Sequence, residues 1–305
     1  MDGPEVPRPN LTALLERPGI SPDLVTLEEA LLSYRRTLHA EIGSRYPDWM
    51  PESERLAEAL RAGTPLVRLI DPQPPAPLLA SAARRLFAAI EPHLPRAKEL
   101  RSWLTEADAT GEDPDLAPWF TAAWQDDRAA LGRMGERKEI DVDLLHWSGR
   151  QLCRPFLHLL ARDLRDHPVL QADGERALAA GCPACGGAAR LGRYYGDEGH
   201  RSLWCDLCDL EWSFPRITCP FCLNQDHEQL GFLAVEDTRG VRIDVCESCH
   251  GYLRAVDQRE TGVEAAVDFL CEDVGTASLS VAAEREGYRP GSITPRAGAA
   301  PSAPG

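Results

Sequence analysis

Apolar residues fall at helical spacing along the first half of the chain and in short, turn-punctuated runs along the second. Ser21-Pro22-Asp23 reads as a helix start, with a capping serine, a proline in the first turn and an acid against the helix dipole. Leu24, Leu27, Leu31, Tyr34, Leu38 and Ile42 then share one face, which predicts an amphipathic helix ending near Tyr46-Pro47. A proline-rich break at Asp71-Pro72-Gln73-Pro74-Pro75 precedes further helical stretches over 77–90, 95–109, 116–131 and 141–165. Pro155 must kink or interrupt the last of these. Trp103, Trp119, Phe120, Trp124 and Trp147 recur at helical spacing and are expected in the core. Strand alternation begins only after about residue 187, so the N-terminal half is expected to be all-α.

Eight of the ten cysteines lie between Cys182 and Cys249 in four C-x-x-C pairs: Cys182/Cys185, Cys205/Cys208, Cys219/Cys222 and Cys246/Cys249. Two intervening residues let both sulfurs of a tight turn face one ion, and a tetrahedral site needs two such turns. Neighbouring pairs give C-x2-C-x19-C-x2-C and C-x2-C-x23-C-x2-C, close to the spacing of structural metal sites. Pro183 and Pro220 pre-set the turns, while Gly186 and Asn224 are expected to supply the left-handed conformation on leaving them. Disulfides would need an oxidising compartment, which nothing in the sequence suggests, and a thioredoxin-like pair would need a βαβ context that is missing.

Between the pairs, Arg190–Tyr195 and Arg201–Trp204 read as a hairpin turning at 196–200, and 230–235 with 241–245 as a second turning at 237–240. His200, His227 and His250 lie near the cysteine turns and are surplus to two four-cysteine sites. His39, His93, His146, His158 and His167 are dispersed without a metal-binding pattern, and the lone Cys153 and Cys271 are expected to pack rather than react.

The formal charge of −15, from 33 basic against 48 acidic residues, argues against nucleic-acid and anionic-membrane partners. The span 182–249 is itself acidic, with six arginines against eleven acids, unlike a nucleic-acid-binding ribbon. The first residues lack a signal-peptide pattern and no apolar run approaches about 20 residues, so a soluble, cytoplasmic protein is expected. The sequence holds no G-x-S-x-G, P-loop or dinucleotide fingerprint, and a non-enzyme is expected.

Cys182-Pro-x-Cys-Gly186, Trp204-Cys-x-Leu-Cys208, Glu211-Trp212, Arg216, Cys219/Cys222 and Cys246-x-x-Cys249 with Tyr252-Leu253 resemble the formate dehydrogenase accessory protein family, FdhE. Glu272-Asp273-Val274-x-Thr276-x-x-Leu279 and Glu284-x-x-Gly287-Tyr288-Arg289 are similar to that family's closing helix. The likeness spans 182–289; Glu272, Ser280 and Arg254 depart from the family's usual residues. The resemblance implies an α+β chain: an all-α helical N-terminal domain, two small rubredoxin-like or zinc-ribbon-type β modules, and a C-terminal helix. The expected boundaries are a flexible arm at 1–20, a helical domain at 21–175, metal modules at 176–215 and 216–260, the helix at 261–290 and a disordered tail at 291–305. It further implies two metal ions held by the eight cysteines, iron favoured and zinc the alternative, in a maturation factor that binds the formate dehydrogenase catalytic subunit. Glu211, Trp212 and Arg216 are its candidate partner-binding residues. A rubredoxin-like electron carrier and a zinc-ribbon nucleic-acid binder are the alternative functions, and self-association is left open.

Overall fold

The computed structural model describes residues 9–17, 19–43, 51–110, 115–165, 167–171, 177–234, 239–261 and 267–293. The helix end expected at Tyr46-Pro47, residues 1–8 of the arm, part of the second hairpin turn and the tail beyond 293 lie outside these residues. Helix α1 (Pro22–Gly43) starts as the sequence predicts and buries Leu31, Tyr34, Leu38 and Ile42. Helix α2 (Ser53–Ala62) was not expected; it ends where Gly63 takes φ 69°. Helices α3 (Ala76–Ile90) and α4 (Ala97–Thr110) follow at the predicted places.

The stretch expected as one helix over 116–131 is two, α5 (Ala117–Gln125) and α6 (Arg128–Lys138). Asp126 turns left-handed at φ 58°, and the Asp127 carboxylate accepts the Ala130 N–H at 2.9 Å, restarting the helix. Helix α7 (Val142–Leu164) instead runs unbroken through Pro155. Of its 23 residues 14 are buried, so packing along its length offsets the hydrogen bond that the proline removes. Gly149 lets α5 and α7 approach closely, since a Cβ there would lie 2.7 Å from Ala123 Cβ and 2.8 Å from Trp119 Nε1. Trp103, Trp119, Phe120 and Trp124 lie in the core as expected, with Trp119 Nε1 donating to Leu145 O at 3.0 Å, while Trp147 is only partly buried against it. Helix α8 (Pro168–Gln171) closes this half.

The remaining chain forms strands β1 (Leu191–Tyr195), β2 (His200–Trp204), β3 (Glu211–Ser213), β4 (Leu230–Ala234), β5 (Val241–Cys246), β6 (Gly251–Asp257) and β7 (Arg289–Pro290). Both predicted hairpins, β1–β2 and β4–β5, are present. They are not two separate sheets. Parallel pairing of β1 with β6 joins them in the order β3-β2-β1-β6-β5-β4, and β7 extends the β6 edge beyond β1.

The closing region is α9 (Gln258–Thr261), α10 (Phe269–Gly275) and α11 (Leu279–Arg285) rather than one helix. The arm is not loose where it is described. Leu11–Glu16 forms a 3-10 turn whose Leu11 and Leu14 pack with Val25, Leu32, Cys271 and Val274, because residues three apart eclipse on such a turn. Arg17 secures it, donating to Glu272 Oε1 at 3.1 Å.

Candidate metal centres

Each cysteine pair sits in the same backbone turn. The N–H four residues on from the first cysteine donates to that cysteine's carbonyl: Gly186 to Cys182 at 2.8 Å, Asp209 to Cys205 at 2.9 Å, Leu223 to Cys219 at 3.0 Å and His250 to Cys246 at 2.8 Å. These four donors all take positive φ: 71°, 62°, 63° and 54°. In the third turn the left-handed residue is therefore Leu223, not Asn224 as its residue type suggests. Asn224 instead accepts the Cys219 N–H through its carbonyl at 2.8 Å.

The turns meet in pairs. Cys182, Cys185, Cys205 and Cys208 form one group and Cys219, Cys222, Cys246 and Cys249 another, with all sulfurs of a group within 4.8 Å of one another. Cys182–Cys208 and Cys185–Cys205 are 3.4 and 3.5 Å apart, and Cys219–Cys249 and Cys222–Cys246 are 3.7 and 3.8 Å apart. Metal–sulfur bonds of about 2.3 Å in a tetrahedron place sulfurs about 3.8 Å apart. The spacing and the donor set both fit a four-thiolate ion site. Both groups consist of cysteines alone, so His200, His227 and His250 are not part of them.

The thiols show why a cation belongs there. Burial pushes Cys182 and Cys208 well up, while hydrogen bonds from Cys182, Cys205 and Cys208 hold Cys185 well down. One sulfur can thus ionise at the expense of its neighbours, and a bound cation is what lets all four do so. The Gly187 N–H donates to Cys185 Sγ at 3.4 Å, an outer contact suited to a thiolate. Cys153 and Cys271 lie outside both groups; burial pushes each thiol up to about 12, and both pack as the sequence predicts.

The two groups differ in setting. All four cysteines of the first are buried, whereas Cys222 and Cys249 of the second are only partly so. Helix α7 holds the first group from behind: Arg154 donates to the Asp206 carbonyl, and Arg165, just past the helix, to Asp209 O at 3.3 Å. The Leu66 and Val67 N–H groups bond the Pro183 and Ala184 carbonyls of the first turn, both at 3.0 Å. These arginines escaped the sequence analysis. Their signal was a polar row, Arg150, Arg154 and His158, at four-residue spacing on an otherwise apolar helix. Of the candidate partner residues, Glu211 accepts from Arg193 Nη1 at 3.2 Å, Trp212 is buried at 2% exposure and Arg216 is exposed.

No family model matches the chain. An FdhE homolog from Stutzerimonas stutzeri (strain A1501) is 30% identical over 238 residues, covering 72% of this chain and 75% of that protein. The chain belongs to the FdhE family. Other members are matched over less of their length. The FdhE homolog of Aquifex aeolicus (strain VF5) is 26% identical over 152 residues, so the chain spans about half of that relative, 50%. The FdhE protein of Escherichia coli O1:K1 / APEC is 28% identical over 117 residues, 36% of its length. The crystal structure of the FdhE protein from Pseudomonas aeruginosa superposes with a TM-score of 0.54 at 21% identity, covering 92% of this chain and 90% of that one. The fold is therefore that of an FdhE protein: helices, a mixed sheet carrying two four-cysteine groups, and closing helices.

Proposed function

We propose that this chain is a non-enzymatic accessory factor that binds the catalytic subunit of a formate dehydrogenase and supports its assembly or activation. Family membership is the observation that carries this function. The eight cysteines hold two metal ions, iron by resemblance to the family and zinc as the alternative. Four thiolates complete a tetrahedral shell, so such a site offers no open position for a water or a polarised carbonyl. Bound metal there supplies folding energy and, if iron, one-electron chemistry. The residues do the rest: the left-handed turns aim the sulfurs, and Arg154 on α7 with Arg165 just past it hold the second turn by its carbonyls. Among the described residues no helix is long and apolar enough to cross a membrane.

The client-facing surface lies beside the second group, where Arg216 and the 59%-exposed Ile217 follow Glu211 and Trp212. Partial exposure of Cys222 and Cys249 also supports a second function, electron exchange with a docked partner.

Affinity purification of the tagged, metal-loaded chain under anaerobic conditions, with mass spectrometry of the eluate, tests the accessory role. Enrichment of a formate dehydrogenase catalytic subunit over an untagged control is the expected result. A clean preparation that shows reversible iron redox chemistry and no client would instead favour the carrier.

A further inference from the structure

A cavity of about 890 Å³ opens between α1, α7 and the sheet, bounded on its remaining side by the segment that enters α10. Four of its lining residues carry buried nitrogens without a hydrogen-bond partner: Arg35 Nε and Nη2, Arg154 Nε, His158 Nε2 and Trp212 Nε1. Arg35, Arg154 and Trp212 are only 2%, 5% and 2% exposed. A buried guanidinium or indole N–H left unmatched costs on the order of 1–3 kcal/mol, so three such residues in the wall of one cavity need an explanation.

The carboxylates of the wall do not provide it. Asp209 Oδ1 accepts from Trp204 Nε1 at 2.7 Å, Glu211 from Arg193, and Asp268 from the Cys271 N–H at 3.0 Å. Glu28 Oε2 stands 4.0 Å from Arg35 Nη2, a countercharge without a hydrogen bond, and does not line the cavity. Burial and the neighbouring Arg154 pull the Arg35 guanidinium down to about 9, and burial with both arginines keeps the His158 ring neutral. An acceptor bearing negative charge would relieve each of these groups.

An oxyanion alone does not fill such a volume, which lies in the range of small-molecule pockets, about 300–1,000 Å³. The wall beyond the arginines is aromatic. Trp204 and Phe269 stack at 5.5 Å with an interplanar angle of 5°, and Tyr195 lies beneath Arg193. We propose that this cavity binds a small organic oxyanion, its phosphate or carboxylate head held by Arg35, Arg154 and Trp212 and its flat body against Trp204 and Phe269. The site is separate from both cysteine groups and does not depend on the proposed client.

Calorimetry and thermal melts of the metal-loaded full chain, with phenyl phosphate and with benzoate, test the inference and separate the two heads. One of them is expected to bind with a Kd of about 1 mM or tighter and to raise Tm by about 3 °C at ten times Kd. Arg35→Met should weaken that binding at least about tenfold. Trp212→Phe keeps an aromatic side chain but removes the five-membered ring with the unmatched N–H and should weaken it about three- to tenfold; it stands in if Arg35→Met does not fold. Absence of binding by either compound up to about 10 mM overturns the proposal, as does binding that both substitutions leave unchanged.

Discussion

The four residues that leave the cysteine turns share one left-handed conformation, yet only Gly186 is a glycine. Asp209, Leu223 and His250 each hold a conformation that disfavours a Cβ by about 1–2 kcal/mol, and the turn hydrogen bonds together with metal bonds must outweigh it. A side chain at Gly186 would also crowd Pro65, since its Cβ would lie 3.3 Å from Pro65 Cγ. Gly186→Ala should therefore destabilise the metal-loaded protein by about 1–2 kcal/mol. His250→Gly, at an exposed position, should stabilise it by about 0.5–1 kcal/mol. Denaturant midpoints of the two variants check both signs, and a stabilising alanine would show that the turn is not strained.

At the scale of elements, one buried side chain ties the middle of the sheet to the closing helices. Arg254, 2% exposed on β6, donates to Asp273 O at 2.7 Å and Thr276 Oγ1 at 2.9 Å and also pairs with the Asp273 carboxylate. A lysine cannot reproduce that fork, so Arg254→Lys should cost about 1–3 kcal/mol despite conserving charge. An unchanged unfolding midpoint would mean that other contacts, such as Arg190 Nε to Asp273 Oδ1 at 2.9 Å, hold the closing helices without this fork. Strand β6 also shows where the sequence stopped being legible. The helices over 21–43 and 141–165, both hairpins and all four cysteine turns were readable, because periodicity and cysteine spacing are local signals. Gly251–Asp257 lies in mid-sheet with buried residues on both faces, so alternation vanishes and a buried arginine reads as a surface one. The break at Asp126 and the continuity through Pro155 were settled by neighbours distant in sequence. The same holds for the cavity, whose polar wall is drawn from α1, α7 and β3.

Over the whole molecule the two centres are unequal supports. The first group belongs to the principal core, which runs from α1 to the sheet, and backbone hydrogen bonds tie its first turn to the helical half. The second shares that core through Cys219 and Cys246 but leaves Cys222 and Cys249 partly exposed at its margin. Cys182→Ser and Cys222→Ser should each remove one of two metals, but Cys182→Ser should lower Tm much the more, since metal binding there is folding energy for the larger core. Metal analysis with thermal melts checks this, and equal losses of Tm would place the two centres on the same footing.

The parallel pairing of β1 with β6 also carries a consequence for synthesis. Leu191 meets Arg254 across that seam, so β1 acquires its inner neighbour only after about sixty further residues have been made. At roughly 5–20 residues per second on the ribosome, that is a wait of about 3–12 s. Once Cys208 has been made, the nascent chain displays for the rest of that interval an unpaired strand edge beside its first four-cysteine group. The end of the wait is set by translation speed rather than by metal supply.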